Sequence, residues 1–172
     1  MKTALFIVVL GMAAVATTTP RTERFGGGEA VITAAGGLER VVIKDSHGAM
    51  KSDSYCDGQS GSYDLVLRYA EAILRVAKSG DRRAMAALMW FPLRVNAGSN
   101  RAGHPAVRTS YVKSGADLRR RYGAIFTPNV IHALEQIEPH DVFCQDGMSM
   151  LGNGVLWATV ERGTLKGAVI NQ

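Results

Sequence analysis

The sequence predicts an α+β fold in which helices pack on a mainly antiparallel sheet. Three observations lead there. Residues 155–171 read as a terminal β-hairpin: Val155, Trp157 and Thr159 alternate with Leu156, Ala158 and Val160, Glu161-Arg162-Gly163 supplies turn chemistry, and 164–171 alternates again. Both strands carry apolar residues on both faces, so the hairpin needs cover on two sides, one side from helices and the other as an interior or an interface. Upstream, apolar residues recur at three- and four-residue steps over 65–77 and again over 130–137, the spacing of a helix face laid on a core.

Taken in order, the chain opens on Lys2 and an apolar run over 4–16 that closes on Ala14-Val15-Ala16. Basic start, short apolar core and small-residue site are the three parts of a secretory signal peptide, so 1–16 is expected to be removed near Ala16 and the mature chain to begin at Thr17. The run is short of the roughly 20 residues a spanning helix needs, and no cysteine follows the cleavage site. Neither a stable membrane anchor nor a lipid anchor is expected, and the mature protein reads as secreted or periplasmic.

Residues 17–61 read as an extension. The stretch 17–28 is rich in Thr, Arg and Gly and ends in Gly26-Gly27-Gly28, a flexible leader. E-A-V-I-T at 29–33 and R-V-V-I-K at 40–44, separated by Ala34-Ala35-Gly36-Gly37, predict a short hairpin. Residues 45–61 hold Gly, Ser, Asp and Lys around Cys56 and read as a loop.

The main domain is expected over 62–172. Ser62 is placed to cap a helix with Leu65, Val66, Tyr69, Ala70, Ile73, Val76 and Ala77 on one face, ended by Gly80. Asp81 caps a second, short helix that Trp90-Phe91-Pro92 stops, and Leu93 to Asn96 follows as a strand. After a polar loop containing His104, a strand is expected from Val107 to Val112. Ser114 and Asp117 resemble a capping box for a helix carrying Leu118, Tyr122 and Ile125. Thr127-Pro128 starts another helix, Asp141 to Cys144 reads as a strand, and Gln145-Asp146-Gly147 as a turn into the final strands.

The formal net charge of +5 is a mild basic bias, and only Arg119-Arg120-Arg121 clusters. Asp117 precedes that cluster and no exposed aromatics interleave it, so a solvated helix face is expected and no nucleic-acid partner. His104, His132 and His140 have no metal-ligand spacing, and H-A-L-E-Q lacks a second His four residues on, so no metal and no cofactor is expected. G-Q-S-G at 58–61 is one residue short of a nucleophile elbow. Cys56 and Cys144 are an even count in an exported chain, which makes a disulfide the default and a buried free thiol the competing reading. No C-x-x-C spacing supports a nucleophilic thiol.

Five motifs, A-K-S-G-D at 77–81, F-P-L-R-V at 91–95, Y-G-A-I-F at 122–126, M-L-G-N-G-V-L-W at 150–157 and A-V-I-N at 168–171, carry a resemblance. Over 62–172 the chain resembles the nuclear-transport-factor-2-like superfamily, in a branch of uncharacterised secreted bacterial proteins. The resemblance implies a cone, helices covering a curved, highly twisted sheet, with any pocket on the concave face beneath them. Its members include isomerases and dehydratases, ligand carriers and protein-binding adaptors, so the fold does not select among these jobs.

An isomerase of that kind needs a carboxylate base and an oxyanion partner, for which Asp141 and Tyr111 are the candidates. Arg94 and Trp157 are the candidate ligand-binding residues, Arg94 because it alternates with Leu93 and Val95, and Trp157 because it sits mid-strand. The leading expectation is a non-catalytic domain that binds a protein in the envelope or secreted space. A cofactor-independent isomerase or dehydratase, or a carrier of a small hydrophobic ligand, is the alternative. The two-sided hairpin is also compatible with a homodimer.

Overall fold

The computed structural model describes residues 19–98 and 107–172; the expected signal peptide and His104 lie outside them. Four strands come first: β1 (Arg21–Phe25), β2 (Gly28–Ala35), β3 (Leu38–Asp45) and β4 (Met50–Cys56). They form an antiparallel sheet in chain order. The central hairpin was expected, but two flanking expectations are corrected. The leader is strand β1, paired with β2 from Arg21↔Ile32 to Phe25↔Gly28, and the Cys56 segment is strand β4, paired with β3.

Both corrections have a physical reason. R-T-E-R-F lacks an apolar alternation because β1 is an edge strand, where charge discourages further pairing. In β4 the inward positions are Ser52, Ser54 and Cys56, so its burial is hidden behind small polar side chains. Gly28, at φ 149°, is required by close approach: a Cβ there would run into the carbonyl of Lys44.

Helix α1 (Tyr63–Ser79) follows, with Ser62 Oγ accepting from the Leu65 N–H and Gly80 closing it at φ 66°. Its buried face, Tyr63, Val66, Tyr69, Ala70, Ile73 and Ala77, is the periodic stripe of the sequence. Asp81 caps α2 (Arg82–Ala87) through the Arg83 and Ala84 N–H groups. Strand β5 (Met89–Ala97) then starts earlier than expected and runs through Pro92. Proline is tolerated there because the ladder to β10 is interrupted, pairing Met89 with Gly167 and next Arg94 with Val169.

Strand β6 is Arg108–Val112. The single helix expected next is two, α3 (Gly115–Arg120) and α4 (Tyr122–Ile125), broken at Arg121. Ser114 caps α3, and Thr127 caps α5 (Pro128–Glu135). Strands β7 (Phe143–Gln145), β8 (Met148–Leu151), β9 (Leu156–Glu161) and β10 (Thr164–Asn171) complete a sheet in the order β6-β5-β10-β9-β8-β7, antiparallel except for β5 beside β10. The expected strand at Asp141 begins instead at Phe143.

The fold is therefore α+β with two sheets. The helices contribute Val66, Ile73, Met85, Leu118 and Leu134, and the second sheet contributes Leu93, Leu156 and Ile170, to one buried core. Each such side chain stabilises the fold by about 1.5–3 kcal/mol relative to exposure. The Cys56–Cys144 disulfide joins β4 to β7, with Cα atoms 5.1 Å apart and a sequence separation of 88. Ser149 Oγ donates to the Ser60 carbonyl, and the Val160 N–H donates to the Gln59 carbonyl at 2.6 Å, so the segment after β4 is sewn to the second sheet.

Candidate protein-binding face

One face of the six-stranded sheet meets the helices; the other turns outward. Alternation assigns the side chains. Leu93 and Val95 are buried, so Arg94 faces out; Leu156 and Ala158 are buried, so Trp157 does too. In β10 the alternation changes hands at a bulge. Gly167 pairs with Ala158, yet Val169 pairs with Trp157, so the extra residue Ala168 turns Val169 outward and Ile170 inward.

The registers then align six residues across the whole sheet. Tyr111 is opposite Arg94, Arg94 opposite Val169, Val169 opposite Trp157, Trp157 opposite Met150, and Met150 opposite Phe143. Three of the residues singled out in the sequence, Tyr111, Arg94 and Trp157, thus lie in one row. Tyr111, at 56% exposure, stands at one end on the edge strand, and Arg94 is exposed beside it.

Hydrogen bonds hold the row in place. Trp157 Nε1 donates to the Gly154 carbonyl at 3.0 Å, and Asn171 Nδ2 donates to the same oxygen at 2.7 Å. Gly154, at φ 85°, seats its Cα against Met150 and Trp157; a Cβ would meet Met150 Sδ at 3.4 Å. The G-N-G turn is therefore a support for the indole. Asn96 Nδ2 donates to Asn171 Oδ1, and Asn96 Oδ1 accepts from Arg94 Nε and the Thr109 hydroxyl, so the guanidinium is tethered to the same network. Farther along, Lys166 Nζ lies 4.8 Å from the centre of the Trp90 ring, a cation–π contact on the same face.

At its other end the row reaches a cavity of about 440 Å³ between the end of α5, β4 and β7–β8. Phe143, Met150 and Ile137 give it apolar walls, and Lys51, Glu138 and Asp141 give it charge. Lys51 Nζ bonds Glu138 Oε2 at 3.0 Å, which raises the Lys51 pKa against the opposing cost of its desolvation.

The structure does not bring Asp141 and Tyr111 together. Tyr111 is on β6 and Asp141 precedes β7, the two opposite edges of the sheet, about 24 Å apart at the usual strand spacing. They cannot share one substrate as base and oxyanion donor. The space beneath the helices, where the resemblance implies a pocket, is filled at its centre by Tyr69, Met89 and Leu156, which crowd Gly167 so closely that a Cβ there would clash with them. Burial raises the Tyr69 pKa, and its hydroxyl donates to the Leu88 carbonyl.

The remaining candidates are structural. Ser60 of G-Q-S-G is buried, its hydroxyl bonding Asp57; the Ser60 N–H, the Ser60 hydroxyl and the Gln59 N–H hold the Asp57 carboxyl below its usual pKa. His140 stacks on Phe25 and its Nδ1 bonds the Tyr63 hydroxyl, while His132 is exposed on α5. Among the described residues no group of three or more His, Cys, Asp or Glu could hold a metal ion, and no helix is long and apolar enough to cross a membrane. Asp117 pairs with Arg120 and Arg121, which leaves Arg119 outside that group of ion pairs.

Val169, Met150 and Phe143 were not among the residues expected at a site. Their placement depends on register and on the bulge, which no local pattern encodes.

No protein-family model, no curated protein and no solved structure matches this chain. Function therefore rests on the site's own chemistry.

Proposed function

We propose that the protein is an exported, non-catalytic domain that binds another protein through the outward face of the six-stranded sheet. The observation that carries this reading is the cross-sheet row of Tyr111, Arg94, Val169, Trp157 and Met150. Trp, Tyr and Arg are the residue types in which interface energy concentrates, and Met and aromatics are enriched where partners touch. Here they stand on a hydrogen-bonded sheet, with the indole and guanidinium already tethered, so little conformational freedom is lost on binding.

Export is supported by the disulfide between Cys56 and Cys144, a bond that persists in oxidising compartments, and by the signal-like first sixteen residues. Membership of the cone superfamily is compatible with an adaptor role and is part of the same proposal.

Affinity capture from envelope and secreted extracts tests it. The disulfide-bonded chain should retain a stoichiometric protein at moderate salt, and Trp157→Ala or Arg94→Ala should weaken retention by about 30-fold or more, the effect of a hot-spot residue. Equal retention by both variants, with native-like circular dichroism, would remove the reading.

The cavity at Asp141 favours a second reading, a carrier of a small hydrophobic ligand or a cofactor-independent isomerase or dehydratase. Its volume is in the range of ligand sites, and Phe143, Met150 and Ile137 stand there among polar and charged lining residues. Native mass spectrometry that finds a bound small molecule, lost on Asp141→Ala, would support this reading over the first.

A further inference from the structure

The outward face of the four-stranded sheet is a separate surface with its own composition. Register places Thr22, Val31, Val42 and Asp53 in one row, Thr33, Arg40 and Tyr55 in the next, and Ala35 opposite Leu38 at the end. Leu38 is 47% exposed and Tyr55 58%, large side chains for open solvent. A hollow of about 280 Å³ lies among Thr33, Ala35, Leu38, Arg40 and Tyr55. One face therefore carries a projecting leucine and, beside it, an apolar hollow.

We propose that this face binds a second copy of the chain, as an isologous dimer in which each Leu38 enters the hollow beside the other copy's Tyr55. A two-fold interface requires knob and hole on the same surface, and this surface has both. Charge selects the second copy over an acidic partner. The chain has a formal net charge of +5, yet the Arg40 charge at the hollow is already neutralised by Asp53. Arg40 grips Asp53 with two hydrogen bonds, at 2.9 and 2.6 Å, and Lys44 bonds Glu29 at 3.1 Å. Two copies can meet at the hollow without like-charge repulsion, because Arg40 is already held by Asp53.

The size of the face sets the strength. Four strands about 4.8 Å apart and about 26 Å long give a footprint of about 500 Å² per copy, about 1,000 Å² in total. That is the lower end of specific interfaces, so association is concentration-dependent. The proposal is independent of the partner-binding face, which lies on the other sheet.

Sedimentation equilibrium of the exported chain with its disulfide intact, from about 1 μM to about 1 mM, tests it. The expected result is a monomer–dimer equilibrium that Leu38→Asp weakens by about 30-fold or more and that Trp157→Ala leaves unchanged. Tyr55→Lys, at a still more exposed position, repeats the test should Leu38→Asp fold poorly. A monomer throughout the range would overturn the proposal. So would a dimer that survives Leu38→Asp and Tyr55→Lys, whether or not Trp157→Ala dissolves it. Because capture of a heterologous partner reads Trp157 and not Leu38, either proposal can fail without the other.

Discussion

Arg94 on β5 and Trp157 on β9 face the same side of the sheet because both are register partners of one residue, Val169. The bulge at Ala168 makes that possible: if Ala168 took an ordinary place in the ladder, Val169 would point inward with Gly167 and the row would be broken at its centre. Deleting Ala168 should give a straight alternation with Gly167 and Ile170 still inward and Val169 still outward, so the chain should keep its fold. Circular dichroism should read a native-like chain, and an unfolded deletion would contradict the assignment of Ala168 as the extra residue.

The crowding at Gly167 leads to a second expectation. A methyl group there meets Met89, Leu156 and the Tyr69 hydroxyl, so Gly167→Ala should lower stability by about 1–3 kcal/mol through overpacking, read as a lowered denaturation midpoint at unchanged m-value. A neutral or stabilising substitution would mean the interior beneath the helices has space to spare, and would revive the buried-pocket alternative.

Asn171 ties the carbonyl of Gly154 to Asn96. Asn171→Ala removes both bonds and should cost about 1–2 kcal/mol, with a change in Trp157 fluorescence as the turn beneath the indole loosens. Unchanged stability and spectrum would show the indole to be positioned by packing alone.

The disulfide closes a loop of 88 residues, for which the chain-entropy model gives about 4–5 kcal/mol. The Cys56→Ser, Cys144→Ser double variant should lose that amount in chemical denaturation. A loss below about 1 kcal/mol would place the linkage between the sheets in their packing instead.

Acid should weaken the fold through Asp57 and Asp64. The Ser60 N–H is the largest of the interactions that lower the Asp57 pKa, and the Arg21 guanidinium does the same for Asp64. A carboxyl group with a folded pKa below its unfolded value of about 3.9 stabilises the fold above that pH, and the contribution disappears as pH falls through the folded value. The denaturation midpoint should therefore drop below about pH 4, less steeply for Asp57→Asn than for the parent chain. Identical acid limbs would contradict the assignment to Asp57.

The helices were legible in the sequence because their signals are local: Ser62, Asp81, Ser114 and Thr127 each cap the helix they precede, and Gly80 ends α1 with a left-handed residue. The terminal hairpin was legible for the same reason. Strands β1 and β4 were not, since an edge strand made of charge and a strand buried on Ser52, Ser54 and Cys56 carry no apolar alternation. Arg94, Trp157 and Tyr111 could each be picked out singly. Their alignment could not, because it is fixed by pairings between strands up to 75 residues apart and by one bulged residue.

The central claim, that the Tyr111–Arg94–Val169–Trp157–Met150 row is the protein-binding surface, is tested most directly by site-specific photo-crosslinking. A photoreactive phenylalanine analogue would replace Tyr111 in one preparation and Leu38 in another, each exposed to envelope and secreted extract and analysed by mass spectrometry. The account predicts one heterologous protein joined at position 111, and at position 38 only a second copy of the chain. A heterologous protein joined at position 38 and none at 111 would contradict it.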